Sequence, residues 1–512
     1  MKFSALVLLA VAIVAQSGAV GASVLGSRET AGEGVIVNLN NQLPLPEPHD
    51  EKIGARAAKL NTDNIQGLTM VGMRFMMETF LFFEITDANT FKRKLGKDIH
   101  PRITTATQLV DPTTQPDVAV NIAFSQKGLR TIRINDDLGD AHFRNGQANE
   151  AASLGDPGTI KWHQPYRKGV HGLLQVASKD MNKLNAEIDK IKSLFGGSFK
   201  EVYRLHAHAR PGAGMGHEHF GWVDGITQPA VEGWDTAKTI APGQFIVKPG
   251  VILMGEEGDK VRRPGWAKSG SFLAWRQLEQ LVPEFHRYLN DTAPDVKGLN
   301  RDEAIHLFGS RMTGRWKSGA PIDLSPFRED EALGADPLRR NNFNYDHPEF
   351  GKAFDIKTNQ TMCPFSAHIL RSRPRGHFKP EHPTSHMLRG GLPYGPEVTE
   401  AEQNSAATSK DPALERGMAF AAYQSNLEDG FIFIQKELVN NKDFPKGSKT
   451  GVDAIIGALN TGPPGDAPRK ITGMDWSDHS KAININKDFV VTRGGEYFFS
   501  PPVSAIKGRL TQ

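Results

Sequence analysis

The 512-residue chain has one cysteine, Cys363. A single cysteine excludes an intrachain disulfide and any CxxC redox or zinc motif, so stability outside a cell would rest on core, cofactor or glycan. An excess of either charge is also lacking: 61 Lys and Arg face 58 Asp and Glu, a net charge of +3. That balance excludes a general polyanion binder and an acidic, solvated chain, and no nucleic-acid partner is expected. Long apolar runs are absent as well. The apolar run at residues 5–15 is too short to span a bilayer, so no membrane partner is expected. Neither short repeats nor low-complexity arrays occur. What is abundant is turn chemistry, with 51 glycines and 32 prolines, which predicts long structured loops in a chain with room for two or three domains.

Lys2, the apolar run and the small residues after it have the order of a secretory signal peptide over residues 1–22, with cleavage after Ser17 or Ala22. The chain is therefore expected to be secreted. Residues 23–60 are rich in Gly, Pro and Asn without periodicity and read as a pro-segment or mobile N-terminal arm. In a secreted protein, the sequons at Asn290 and Asn359 are candidate glycosylation sites.

Short apolar runs at 80–85 and 119–124 read as strands, with helical character between them near 89–95. A second set begins at 245–254. Phe272, Leu273, Leu278, Leu281, Phe285 and Leu289 then recur at helical spacing, with Pro283 expected to kink or interrupt that helix. The runs at 418–423, 431–434 and 494–499 each fit a buried strand. Strands and helices interleaved twice predict an α+β fold with two units, 61–235 and 236–512.

Three constellations carry candidate chemistry. His206, His208, His217 and His219 form two HxH pairs; alternate residues of a strand share a face, and imidazole is a common metal ligand. A hydrogen-bonding role is the alternative, and no HExxH motif accompanies the pairs. Asp224, in Gly221-Trp-Val-Asp-Gly225, is either a turn carboxylate or an acid–base group. His368, in Cys363-Pro-Phe-Ser-Ala-His368, precedes Arg371, Arg373 and Arg375. It is either a core histidine beside surface arginines or an iron ligand beside guanidinium groups that hold haem propionates.

Together and in this order, these segments resemble the dye-decolorizing peroxidases, most closely their secreted fungal-type branch. The resemblance also rests on Val-Asn-Ile-Ala-Phe-Ser-Gln at 120–126, Ala-Ser-Leu-Gly-Asp-Pro-Gly at 152–158, the Arg-Met-Thr-Gly-Arg-Trp-Lys-Ser-Gly-Ala-Pro run at 311–321, and segments 389–396 and 491–501. It implies two tandem ferredoxin-like domains, antiparallel sheets with helices, with one haem b per chain in the C-terminal one. It further implies His368 as proximal iron ligand, Asp224 as acid–base residue and Arg389 as the cation beside it. Met418 and Phe420 are implied to line the pocket, and Arg375 and Arg315 to anchor haem. Asp453, or else Glu428 or Asp429, would accept a hydrogen bond from the proximal imidazole. Tyr394 would relay electrons between haem and surface. Two departures from the family pattern stand out: Leu370 and then Arg371 where members carry arginine two residues after the proximal histidine, and Trp222 in place of phenylalanine. The implied activity is reduction of hydrogen peroxide with oxidation of anthraquinone and azo dyes and phenolic or lignin-like compounds. The implied aspartate keeps a low pKa beside arginine, so activity is expected to favour acidic pH. A haem-binding or haem-delivery protein without turnover is the rival reading, and a zinc hydrolase built on the four histidines a third.

Overall fold

The computed structural model describes residues 60–512 apart from 73–74, 111–112, 114, 237–238, 348–354, 356–357, 379–383 and 459–468. The signal-peptide and arm segments lie outside the described residues, except Leu60.

The chain is α+β. Its strands, in order, are β1 (Met77–Ile85), β2 (Val118–Phe124), β3 (Gly172–Ser178), β4 (Phe199–His208), β5 (Ala230–Val231), β6 (Ile246–Val247), β7 (Ser271–Gln280), β8 (Leu388–Arg389), β9 (Leu392–Tyr394), β10 (Gly417–Gln424), β11 (Arg469–Ile471), β12 (Ile483–Ile485) and β13 (Val490–Ser500). Nine of them form one sheet in the order β7-β13-β2-β3-β1-β4-β9-β10-β8, and β7 also pairs with β10, which closes the sheet into a barrel. Strands from both halves of the sequence thus share one sheet, joined where Phe499 faces Phe124 and where Ala207 faces Tyr394.

Both faces of this sheet are covered. Along β1, Phe80 and Phe82 pack into one core with Trp275, Ala419 and Tyr423. Leu81 and Phe83 pack into another, with Phe91 and with Ile188 of the helix Met181–Phe195. The two-residue period of a strand sends neighbours to opposite faces, so a fully covered strand is apolar almost throughout.

That continuity explains a correction. The residues expected to form one kinked helix from 272 to 289 form β7 followed by a helix, Val282–Thr292. Phe272 and Leu273 are both fully buried, one on each face, and their adjacency imitated helical spacing. Pro283 lies in the first turn of the helix, where a missing N–H costs nothing and no kink results. Residues 431–434 likewise are not a strand. They belong to wide, π-type helical turns, Glu428–Ile432 and Ile434–Val439, and a short apolar run does not separate the two structures by period. Of the 245–254 run, only Ile246–Val247 is extended, because Pro249 opens a tight turn.

Candidate active site

β10 and β7 pair so that Met418 meets Leu278 and Phe420 meets Arg276. All four side chains line a cavity of 760 Å³, while Ala419, Ala421 and Trp275 between them point into the barrel core. Asp224, His368, Arg315, Arg375 and Arg389 line the same cavity.

Asp224 sits on a loop whose tight turns need Gly221 (φ 104°) and Gly225 (φ 75°), the left-handed region that glycine enters without strain. A second carboxylate, Glu218, holds that loop from beneath. It accepts hydrogen bonds from the backbone N–H groups of Phe220 and Trp222, each at 2.8 Å, and from Gln280 Nε2. The Trp222 indole donates to the Arg315 carbonyl at 2.8 Å, which joins the loop to the following segment. Arg389 is fixed through its own backbone. Gln228 donates to its carbonyl at 2.6 Å and accepts from its N–H at 3.0 Å. The guanidinium can then donate to Thr227 O at 3.0 Å and Asp224 Oδ1 at 3.3 Å. Burial pushes the Asp224 carboxyl up, but the Arg389 cation, the Gly225 N–H and His368 outweigh it and hold it below the ordinary 3.8.

His368 opens a short helix, His368–Ser372, and its Nδ1 lies 2.8 Å from Asp453 Oδ2. Asp453 is fully buried, and its Oδ1 accepts from the N–H groups of Ile455 and Ile456 at 2.8 Å each. Burial disfavours the carboxylate, and His368 with these donors more than compensates, so its pKa is lowered. The two other candidates are engaged elsewhere: Glu428 with His142, and Asp429 with Thr384.

The arginines divide by role. Arg371 is wholly buried and donates to the carbonyls of Phe365, Leu438, Asn441 and Gly451, so it braces the fold. Arg373, one of the three arginines in the run after His368, lines the cavity with a buried Nη2 that has no partner, and its guanidinium lies 4.0 Å over the Phe245 ring. Arg375 Nε, the Tyr345 hydroxyl and Ser385 Oγ are also buried on the cavity wall without partners. Burial, reinforced by Arg375, pushes Arg315 down to about 9, and burial also lowers Arg373 and Arg375. Crowded cations and orphaned donors beside an imidazole and apolar walls fit a planar macrocycle bearing carboxylates, which is haem.

Tyr394 is outside this cavity. It lies on β9, 3% exposed, facing the barrel core, with its hydroxyl 2.9 Å from Glu415 Oε1. Asn290 is exposed at the end of a helix, and Asn359 is partly exposed, its Oδ1 bonded to Thr361 N. The four histidines do not gather: His206 bonds Thr79, His208 the Ala209 carbonyl, His217 the Met215 carbonyl and His219 the Tyr394 carbonyl. No cluster of three or more His, Cys, Asp or Glu suited to a metal ion occurs among the described residues. Trp222 and Trp316 are both buried, as core packing requires, although Trp222 also touches the cavity.

Glu218, Gln228 and Tyr345 are the additions that the structure makes. Glu218 had a signal, lying between the two histidines of the glycine motif. Gln228 and Tyr345 had none, since their roles depend on contacts distant in sequence.

Comparison with known proteins identifies the fold and the family. Residues 64–211 match the model of the DyP dimeric alpha+beta barrel domain. Peroxidase 2 of Mycetinis scorodonius is 47% identical over 96% of this chain and 95% of its own length. A dye-decolorizing peroxidase of Auricularia auricula-judae is 45% identical over 96% and 93%. The crystal structure of a fungal DyP-type peroxidase from Auricularia auricula-judae superposes with a TM-score of 0.83 at 46% identity, covering 89% of this chain and all of that one. The chain belongs to the dye-decolorizing peroxidase family. It is an oxidoreductase that acts on peroxide and oxidises dyes, and like its family it depends on haem.

Proposed function

We propose that the cavity takes one haem b per chain, which His368 would hold through its iron and Arg315, Arg373 and Arg375 through its carboxylates. The supporting observation is that one cavity is lined by both an arginine-paired aspartate and an imidazole bonded to a buried carboxylate. When bound, haem supplies the iron centre that peroxide oxidises. The chain's own work is proton handling and charge. Asp224 takes the proton from one peroxide oxygen and returns it to the other, so that water leaves as the O–O bond breaks. Both of its hydrogen bonds fall on Oδ1, and Oδ2 is the atom that exchanges the proton. Arg389 offers fixed N–H donors and positive charge where negative charge develops. Asp453 keeps Nδ1 of His368 protonated and the ring oriented, which leaves Nε2 for the metal and raises its donor strength.

The haem then belongs to the second of two ferredoxin-like halves, 61–235 and 236–512, whose sheets have merged into the barrel. Phenolic and lignin-like compounds are further substrates. Dyes too bulky for the cavity deliver electrons at the surface, with Tyr394 as relay. The chain is secreted after loss of residues 1–22, and Asn290 and Asn359 carry glycans. No described helix is long and apolar enough to cross a membrane.

The test is the visible spectrum of the protein before and after one equivalent of hydrogen peroxide, beside Asp224→Asn. A Soret band that changes rapidly in the wild type and slowly in the variant is the expected result. A Soret band indifferent to peroxide would mean a haem carrier, and no Soret band would remove haem from the reading.

A further inference from the structure

Behind the cavity wall, on the inner side of the sheet, a polar cluster converges on Glu415. Its Oε1 accepts from the Tyr394 hydroxyl at 2.9 Å and Gln277 Nε2 at 2.8 Å, and lies 3.3 Å from His163 Nε2; its Oε2 accepts from Arg493 Nε at 3.1 Å. The phenol is almost wholly buried, whereas the His163 and Arg493 side chains are about a quarter exposed, at 24% and 25%. The cluster therefore runs from an interior phenol to the protein surface. Tyr394 is also close to the cavity, because its neighbour Pro393 faces cavity-lining Met418 across β9 and β10.

A phenol cannot lose an electron in a buried site and keep its proton, since the cation so formed is a strong acid in a poorly solvating place. We propose that Glu415 is the proton acceptor that makes Tyr394 oxidisable, with His163 and Arg493 orienting its carboxylate toward the phenol. This inference rests on Tyr394 being the electron relay.

The step balances as follows. Tyr394 gives one electron toward the haem side, where hydrogen peroxide has supplied the oxidising equivalents, and its hydroxyl proton moves to Glu415 Oε1. A neutral phenoxyl radical and a carboxylic acid result. A dye at the surface then gives one electron to the phenoxyl, and the proton returns from Glu415. Two such rounds consume the two oxidising equivalents of one peroxide. Glu415 suits the task because burial, which would raise its pKa, is overcome by His163, Arg493 and the Tyr394 hydroxyl, which hold it at about 2. The acceptor is thus a carboxylate throughout the mildly acidic range.

The experiment compares the haem-loaded wild type with Glu415→Gln, Tyr394→Phe and the double variant. It reads the tyrosyl radical signal by freeze-quench electron paramagnetic resonance after peroxide, and turnover of a bulky anthraquinone dye and of a small phenol. Glutamine keeps the size and an oxygen that accepts from the Tyr394 hydroxyl, but it cannot take the proton and gives up the bond from Arg493 Nε. Glu415→Gln should lose the radical signal and at least about 10-fold in dye turnover, with a smaller loss on the phenol. The double variant should be no worse than Tyr394→Phe, because the two residues act as one unit, and Glu415→Asp should restore part of the activity. If Tyr394→Phe loses radical and dye turnover while Glu415→Gln keeps both, the Glu415 role is overturned and the relay stands. If Tyr394→Phe oxidises the dye as the wild type does, the relay fails and this inference with it. Should Glu415→Gln not fold, reduction of the peroxide-treated wild type by the dye, followed in D2O and H2O apart from the peroxide step at Asp224, decides: slower reduction in D2O supports proton-coupled transfer, and equal rates overturn it.

Discussion

At the residue scale, Asp224 and Arg389 depend on each other in opposite ways. The arginine lowers the pKa of the aspartate, and in the proposed mechanism the aspartate is the group that moves the proton. Asp224→Asn keeps the shape and loses the base, so the rate of the spectral change with peroxide should fall about 10²–10⁴-fold. Arg389→Leu should cost about 10²–10³-fold by removing a donor aimed at developing charge, and it should also raise the Asp224 pKa. The sign of the pH effect follows. Because Asp224 is held below 3.8, its active carboxylate persists on the acid side and is lost only as pH falls through that lowered value. In Arg389→Leu the acid limb of the peroxide-rate profile should move to higher pH. An unmoved limb would show that Arg389 does not set the charge state of Asp224.

At the element scale, the glycine loop is only as fixed as the carboxylate beneath it. Glu218→Gln would turn an amide N–H₂ toward one of the two backbone N–H groups that Glu218 now satisfies, a mismatch costing about 1–3 kcal/mol at a buried site. The expected outcome is slower reaction with peroxide and a shifted pH profile with the Soret band retained, because none of the arginines proposed to hold haem is touched. Loss of the Soret band would mean that Glu218 supports the whole pocket rather than the loop. The elements also show what a sequence conveys. β1, β2, β10 and β13 were legible as apolar runs, and His368, Asp224, Arg389 and Asp453 as motif positions. β7 was not, because burial on both faces erased the alternation that marks a strand, and the turns around Phe431 were not, because four apolar residues carry no period. Gln228 clamps Arg389 from 161 positions away, a pairing that no local pattern encodes.

At the scale of the whole molecule, the buried carboxyls set where on the pH axis the fold is most stable. Burial, only partly offset by Gln175, raises Glu78 inside the barrel from 4.5 to about 8, and burial raises Glu496 on β13 to about 7. A carboxyl with a raised folded-state pKa binds its proton more tightly folded than unfolded. Its contribution is complete below 4.5 and is lost as pH rises through the folded value. His142, raised to about 9 by its bonds to Glu150 and Glu428 against the effect of burial, adds stability below 6.5 that likewise disappears as pH rises through 9. On the other side, Glu402 and Glu415 are held at about 2, although burial alone would raise them, so their contributions exist above 4.5 and vanish as pH falls toward 2. The two sets oppose each other and meet near pH 4.5, which is where thermal unfolding should give the highest Tm, with a decline toward both pH 2 and pH 8. Glu78→Gln isolates one limb, because glutamine retains a hydrogen-bonding partner for Gln175 but has no proton to lose. Its Tm should match the wild type near pH 4.5 and exceed it at pH 8. Equal values at both pH would mean that Glu78 ionises without cost, and the alkaline decline would then belong to Glu496 and His142.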